Sequence, residues 1–224
     1  METKQPGISG YWLKLIAVIS MLIDHTSAVI LEQIPGLEAP AFFMRIIGRL
    51  AFPIYCFLLV EGFYHTRDIR KYMIRLAGLG VISEIPFDLL TTGKFFDLRH
   101  QNVFFTLLIG LILLYGYEKQ YSTFSKVSFA FLILIAGDLF RVDYGAWGVL
   151  MIFCFFIFRE RMWAKIVSVA VINVVVFGYI QAFAVLALLP ICLYNGEKGR
   201  GYKYFFYLVY PVHLWIIWII KTMI

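Results

Sequence analysis

The sequence predicts an all-α protein, a polytopic bundle of transmembrane helices with about nine spans (eight to ten) and a cytoplasmic N-terminus. Three observations carry that reading. Of the 224 residues, 62% are hydrophobic and only 15% charged, and the mean hydropathy is +0.83; a soluble domain of this size has too little interior to hide so much apolar surface. The apolar residues fall into runs near the ~20 residues that a helix needs to cross a bilayer. The basic residues, which give a net charge of +6, sit in short loops between those runs. That is the pattern of cytoplasmic loops and not of a nucleic-acid-binding face.

The elements follow in chain order, within one domain covering 1–224. The first apolar run, 12–32, contains Lys14, Asp24 and His25 and lacks a small-residue cleavage site, so it reads as a retained span and not a signal peptide. The second and third, 41–65 and 69–92, are divided by the basic stretch from Arg67 to Arg75. The fourth and fifth, 102–118 and 124–140, flank Lys119 and Lys126. The sixth, 145–158, starts after an Asp-Tyr-Gly turn and ends at Arg159 and Arg161. The uncharged run 166–196 is too long for one helix at ~1.5 Å per residue. Basic segments bound it on both sides, so an even number of crossings is expected, either two short or tilted helices (162–179 and 180–195) breaking near Gly178 or a re-entrant pair. The ninth, 203–222, follows Lys198, Arg200 and Lys203. With Lys4 also inside, the outer side keeps only Lys94, Arg99, Arg141 and Lys221. Cys56, Cys154 and Cys192 lie in apolar runs without a CxxC spacing and read as small buried residues.

Ionisable side chains in mid-membrane cost at least ~2.5–3.5 kcal/mol on insertion scales, so they mark protein interiors or wet cavities. Arg45 and Arg49 share one face of the second span at i,i+4, as do Glu84 and Asp88 on the third. Antiparallel spans predict a ladder of Arg49 with Glu84 and Arg45 with Asp88, serving either a reaction site or helix assembly. His25 falls at nearly the depth of Glu84 and follows Asp24, which makes it a candidate general base tuned by either carboxylate. Eleven residues separate Lys14 from His25, three helical turns plus ~20°, so both lie on one stripe ~16 Å apart. A cation at the inner mouth and an imidazole farther up suit a cytosolic thioester such as acetyl-CoA, whose phosphates and acyl group lie at opposite ends of a long arm; Lys14 also fits a snorkelling role at inner headgroups. His213, after Pro211 in the last span, is a second acid/base candidate or a cavity wall.

The stretches LKLIAVISMLIDH (13–25), RIIGRLAFPIYCFLLVEGFYHT (45–66), ISEIPFDL (82–89), NVFFT (102–106), DYGAWGVL (143–150), LYNGEKG (193–199) and KYFFYLVYPVHL (203–214) resemble the TraX family, named for the conjugation protein that acetylates the N-terminus of F-type pilin. Lys14 and His25 also match the R/K-x10-H spacing of the acyltransferase-3 group. The resemblance implies acetyl-CoA as donor, a ten-helix-like membrane fold, a bacterial cytoplasmic-membrane location and a catalytic histidine at His25. Around it, Asp24 and Glu84 are catalytic candidates, while Lys14, Glu61, His65 and Arg67 are candidates for receiving coenzyme A. Arg45, Arg49, Asp88, Asn102, Thr106, Asp143, Tyr144 and His213 form the expected substrate or structural network, with Asn102, Thr106, Asp143 and Tyr144 on the outer, acceptor side. The acceptor is a peptide or pilin N-terminus or a cell-envelope glycan, and membrane lipids are the surrounding partner.

Two other classes compete. A lipid or small-molecule transporter or flippase also uses buried Arg/Glu ladders; saturable acetyl-CoA binding distinguishes the enzyme from it. A metal-dependent hydrolase ranks below both, because no HExxH or comparable ligand spacing occurs and no metal is expected.

Overall fold

A computed structural model describes residues 6–223. Lys4 and the side chain of Lys203, both assigned above to the inner side, lie outside the described residues. The helices are α1 (Gly10–Val29), α2 (Glu38–Gly48), α3 (Ala51–His65), α4 (Ile69–Thr91), α5 (Val103–Lys119), α6 (Thr123–Leu139), α7 (Gly145–Ile157), α8 (Met162–Ala170), α9 (Leu188–Cys192) and α10 (Lys203–Met223). No strand forms among the described residues. Two isolated bridges, Ile8 with Tyr194 and Gln101 with Val142, tie loops at opposite ends of the bundle. The end holding the start of α1 is called the near end here, and the other the far end.

The expected apolar segments are helical, with one division and one loosening. The second segment breaks between α2 and α3 because Pro53 has no N–H to give to the carbonyl of Arg49. The Arg49 amide instead closes α2 onto the carbonyls of Arg45 and Ile46, at 3.1 and 3.2 Å. In the uncharged run the chain is wound as a π-helix over Val171–Phe177 and as a 3₁₀-helix over Tyr179–Ala187, with the break at Gly178, whose φ of +63° belongs to the left-handed region. Both windings are rare at this length and mark a segment shaped by its neighbours more than by local preference.

Three helical stretches, Gly10–Gln33, Glu38–His65 and Phe205–Met223, are long and apolar enough to cross a membrane. The others fall short in length or composition. α5 and α6 have 17 residues each, about 25 Å at the helical rise. α4 has 23 residues but carries Arg70, Lys71, Arg75, Glu84 and Asp88.

α1 packs against α2, α3 and α10, α4 against α5 and α10, and α5 against α6 and α7. The main core lies between α1, α3, α5 and α7, where Leu13, Phe52, Leu111 and Phe155 are buried. A smaller cluster of Met21, Leu90, Tyr210 and Leu214 joins α10 to it. The periphery is apolar too. Ile74, Val81 and Ile82 on α4 and Phe131 and Leu132 on α6 are each more than half exposed, a surface that water penalises and hydrocarbon accepts.

Candidate functional site

Successive residues of an α-helix point about 100° apart, so Asp24 and His25 serve different walls of α1. Asp24 is turned to α2. Its Oδ2 accepts from Arg49 Nη2, and its Oδ1 lies 3.0 Å from Arg45 Nη1, close enough for charge pairing though not aligned as a hydrogen bond. Arg45 also reaches Glu32 at 3.2 Å. Arg49 Nη1 donates to Gln181 Oε1 at 3.1 Å, and Gln181 Nε2 donates to Asn173 Oδ1 at 3.2 Å. The irregular segment after α8 thereby sets one buried amide, Gln181, against the arginine that caps the end of α2, and a second, Asn173, behind it. Gly48 permits this approach, because a Cβ there would overlap the Asp24 side chain. Ser27 Oγ adds a bond to the Ala41 carbonyl at 2.9 Å.

The ladder expected between the two arginines and Glu84 with Asp88 is therefore replaced. α4 packs on α5 and α10, and α2, once separated from α3, lies along α1, so both guanidinium groups find Asp24. Glu84 Oε2 accepts from Asn102 Nδ2, and Asp88 Oδ2 accepts from the Asp97 amide at 2.8 Å. Glu84 Oε1 and Asp88 Oδ1 are buried without a hydrogen-bond partner.

His25 is turned to α10. Its Nδ1 lies 2.7 Å from His213 Nε2, with the two rings within 12° of parallel. His213 takes the place that Glu84 was expected to hold beside His25. His213 Nδ1 is 2.8 Å from the carbonyl of Val209. Tyr210 presents its ring to both imidazoles, with centroids 6.1 Å from His25 and 5.4 Å from His213. Lys14, about three turns nearer the start of α1, holds its ammonium 6.0 Å from the Phe206 ring. Lys14 and His25 thus both face α10, as their spacing requires.

At the near end the Asn-Gly-Glu-Lys-Gly loop folds onto the start of α1, where the Gly10 amide donates to the Glu197 carbonyl at 2.7 Å. Glu61 accepts from Arg159 Nε at 3.1 Å, and the Arg159 guanidinium lies over the Tyr64 ring at 4.2 Å. His65 Nδ1 bonds the Glu61 carbonyl at 2.8 Å, while Arg67 is exposed. An open cavity of about 470 Å³ lies here, lined by Tyr64, Phe156 to Phe158 and Arg159 to Arg161. Lys14 is not in its wall.

At the far end Asn102 is fully buried. It caps α5 by accepting from the Phe104 amide at 3.0 Å and donates to the Gly80 carbonyl at 2.8 Å. Thr106 donates to the Asp143 carbonyl. Both residues, expected to face an acceptor, spend their polar groups stitching α4, α5 and the turn before α7. Tyr144 occupies that turn at φ +63° and stacks parallel to Phe52, centroids 3.7 Å apart. Asp143 lies 3.6 Å from His100 Nε2 and raises the His100 pKa above its ordinary value. Arg99 likewise holds Asp97 well below the carboxylate range. Charge counting missed Gln181, Asn173 and Tyr210; the two amides in an otherwise apolar run were the available signal.

The family model described as TraX protein matches residues 9–221. The chain belongs to the TraX family. Its membership and its apolar helices make it a membrane protein. The probable fimbrial assembly protein FimC, serogroup H1, of Dichelobacter nodosus is 30% identical over 92% of the chain and 93% of that protein. An uncharacterized protein, RP591, of Rickettsia prowazekii (strain Madrid E) is 30% identical over 50% of the chain and 39% of its own length. No solved structure matches the chain.

Proposed function

We propose that the protein is a multi-pass acetyltransferase of the bacterial cytoplasmic membrane, with its N-terminus inside. It moves an acetyl group from cytosolic acetyl-CoA to an amine or hydroxyl acceptor. The observation that carries the reading is the paired imidazole of His25, at 2.7 Å from His213, on the same face of α1 as Lys14. The orientation rests on the near end, where Arg67, Arg70, Lys71, Lys119, Arg159, Arg161, Lys198 and Arg200 gather, in accord with the retention of basic loops in the cytoplasm. The relative from Dichelobacter nodosus, described as a fimbrial assembly protein, favours the N-terminal amine of a fimbrial subunit over a glycan hydroxyl.

In the proposed reaction Lys14 and the adjoining glycine-rich loop meet the donor's phosphates. His25 takes the proton of the acceptor N–H or O–H as that atom bonds to the acetyl carbonyl carbon. The carbon–sulfur bond breaks, its electron pair leaves on sulfur, and the proton held by His25 ends on the coenzyme A thiol. The arginines gathered at Asp24 stand one helix position away and favour negative charge developing on the carbonyl oxygen.

The test is release of free thiol from acetyl-CoA by the purified protein in lipid nanodiscs, with transfer of labelled acetyl to an amine-bearing peptide. His25→Ala should lower transfer by about 100-fold or more while leaving the protein folded and the donor bound. Absence of saturable acetyl-CoA binding by the wild-type protein would sink the proposal and favour a transporter.

A further inference from the structure

The two bonds made by His213 fix the protons of both rings. A backbone carbonyl only accepts hydrogen bonds, so at 2.8 Å from the Val209 oxygen the His213 Nδ1 must carry a hydrogen. In a neutral imidazole the second nitrogen is then a bare acceptor. That nitrogen, Nε2, lies 2.7 Å from His25 Nδ1, so His25 must be the donor and its Nδ1 must carry the hydrogen. Neutral His25 therefore keeps its lone pair on Nε2, to which no group among the described residues hydrogen-bonds. Each assignment follows from the one before, and the chain starts at a backbone oxygen that cannot reverse its role.

We infer that His213 is a positioning residue that holds His25 in the Nδ1–H tautomer, so that Nε2 is the reactive nitrogen, and that it serves as the second seat for the transferred proton. When Nε2 of His25 gains a proton, its Nδ1 proton can pass along the 2.7 Å bond to His213 Nε2. His25 is then neutral again, with its hydrogen on Nε2, and the positive charge rests on His213, whose Nδ1–H still bonds the Val209 carbonyl. No atom is gained or lost, and return of the proton restores the starting pair. A histidine held by a carboxylate would reach the same tautomer, but here an imidazole does the holding and can itself accept the proton.

The catalytic meaning of this arrangement rests on the acetyltransferase reading, but the tautomer does not, so the experiment separates them. Ring-nitrogen NMR of the ¹⁵N-histidine-labelled protein in nanodiscs has four histidines to assign. It should show His25 protonated at Nδ1 and bare at Nε2, and His213 protonated at Nδ1. His213→Phe should release His25 into a mixture of tautomers, whereas His213→Gln, whose side-chain oxygen still accepts from Nδ1–H, should retain the wild-type form. In turnover assays His213→Phe should lower kcat by about 100-fold with the donor KM unchanged, and His213→Gln, which keeps the tautomer but cannot accept a proton, should recover only part of that loss; full recovery would remove the second seat from the inference. A wild-type His25 that carries its hydrogen on Nε2, or a His213→Phe protein whose His25 tautomer is unaltered, overturns the inference. Correct tautomers in a protein that neither binds nor cleaves acetyl-CoA would uphold it and remove the acetyltransferase reading.

Discussion

Two sets of buried acids occupy this bundle, and they are satisfied by opposite means. Asp24 on α1 is met by two guanidinium groups from α2. Glu84 and Asp88 on α4 are met by a side-chain amide and a backbone amide; all three acids leave one buried oxygen without a hydrogen-bond partner, but that of Asp24 has the charge of Arg45 at 3.0 Å. The first arrangement joins separate helices by charge, and every member depends on the others. The second fastens a helix to its adjoining loop with neutral donors, so each bond can fail alone. His25 stands on the side of the bundle built the first way, next in sequence to Asp24, which holds a reactive ring on a rigid frame.

The sharpest way to break this contrast is to remove the charge at Asp24. Asp24→Asn leaves two arginines without their shared counter-ion in a low-dielectric site, and loss of one partner from a buried ion pair costs about 3–5 kcal/mol. The thermal midpoint in detergent should fall accordingly. The double variant Asp24→Asn with Arg49→Gln should recover part of the loss, because one stranded charge is gone; no recovery would mean that the groups do not act as a unit. Gly48→Ala comes next. Its Cβ would overlap Asp24, so α1 and α2 must separate, at a cost of about 1–3 kcal/mol typical of overpacking. Wild-type stability for this variant would show that the two helices approach less closely than described.

Much of this was legible in the chain, and the missing part is of one kind. Hydropathy and basic loops located the helical segments, and Gly178 announced the break in the uncharged run. The Lys14 to His25 spacing put both side chains on one wall because helical periodicity is a local property. Which helix faces that wall is not local. Reading spans in sequence order made α4 the neighbour of Arg45 and Arg49, whereas packing makes it the neighbour of α5 and α10. Pro53 carried the correction in advance, since a proline there frees the Arg49 carbonyl and lets α2 swing onto α1. Gln181 and Asn173 passed unnoticed because neutral amides leave no mark on a charge count, although burial makes their hydrogen bonds as obligatory as those of charged groups.

On the neutral side of the comparison, Glu84→Gln should be mild. The amide oxygen can still accept from Asn102, so the loss should be about 1 kcal/mol, the net value of a hydrogen bond, well below that at Asp24. A fall as large as that of Asp24→Asn would show that the Glu84 charge has a partner in the membrane and that the two sites are built alike after all.

The smallest effect belongs to the far-end loop, where each of two ion pairs has a cation exposed to water and salt. His100 has a raised pKa through Asp143, so its contribution is complete below the ordinary histidine value of ~6.5 and is lost as pH rises through the higher folded value. Asp97 has a lowered pKa through Arg99, so its contribution is complete above ~3.9 and is lost as pH falls toward the lower folded value. The loop should therefore be firmest in the mildly acidic window between those two losses. The amides of Gln101 and Asp143, bonded at 2.9 Å across the Gln101 to Val142 bridge, report it by hydrogen exchange corrected for the intrinsic pH dependence. Protection should decline as His100 loses its proton, and His100→Gln should abolish that decline while leaving the acid limb. Amides of α1 around Asp24, which lie outside this loop, should not share the decline that His100→Gln abolishes; a matching decline in α1 would mean that the helix and the loop open together.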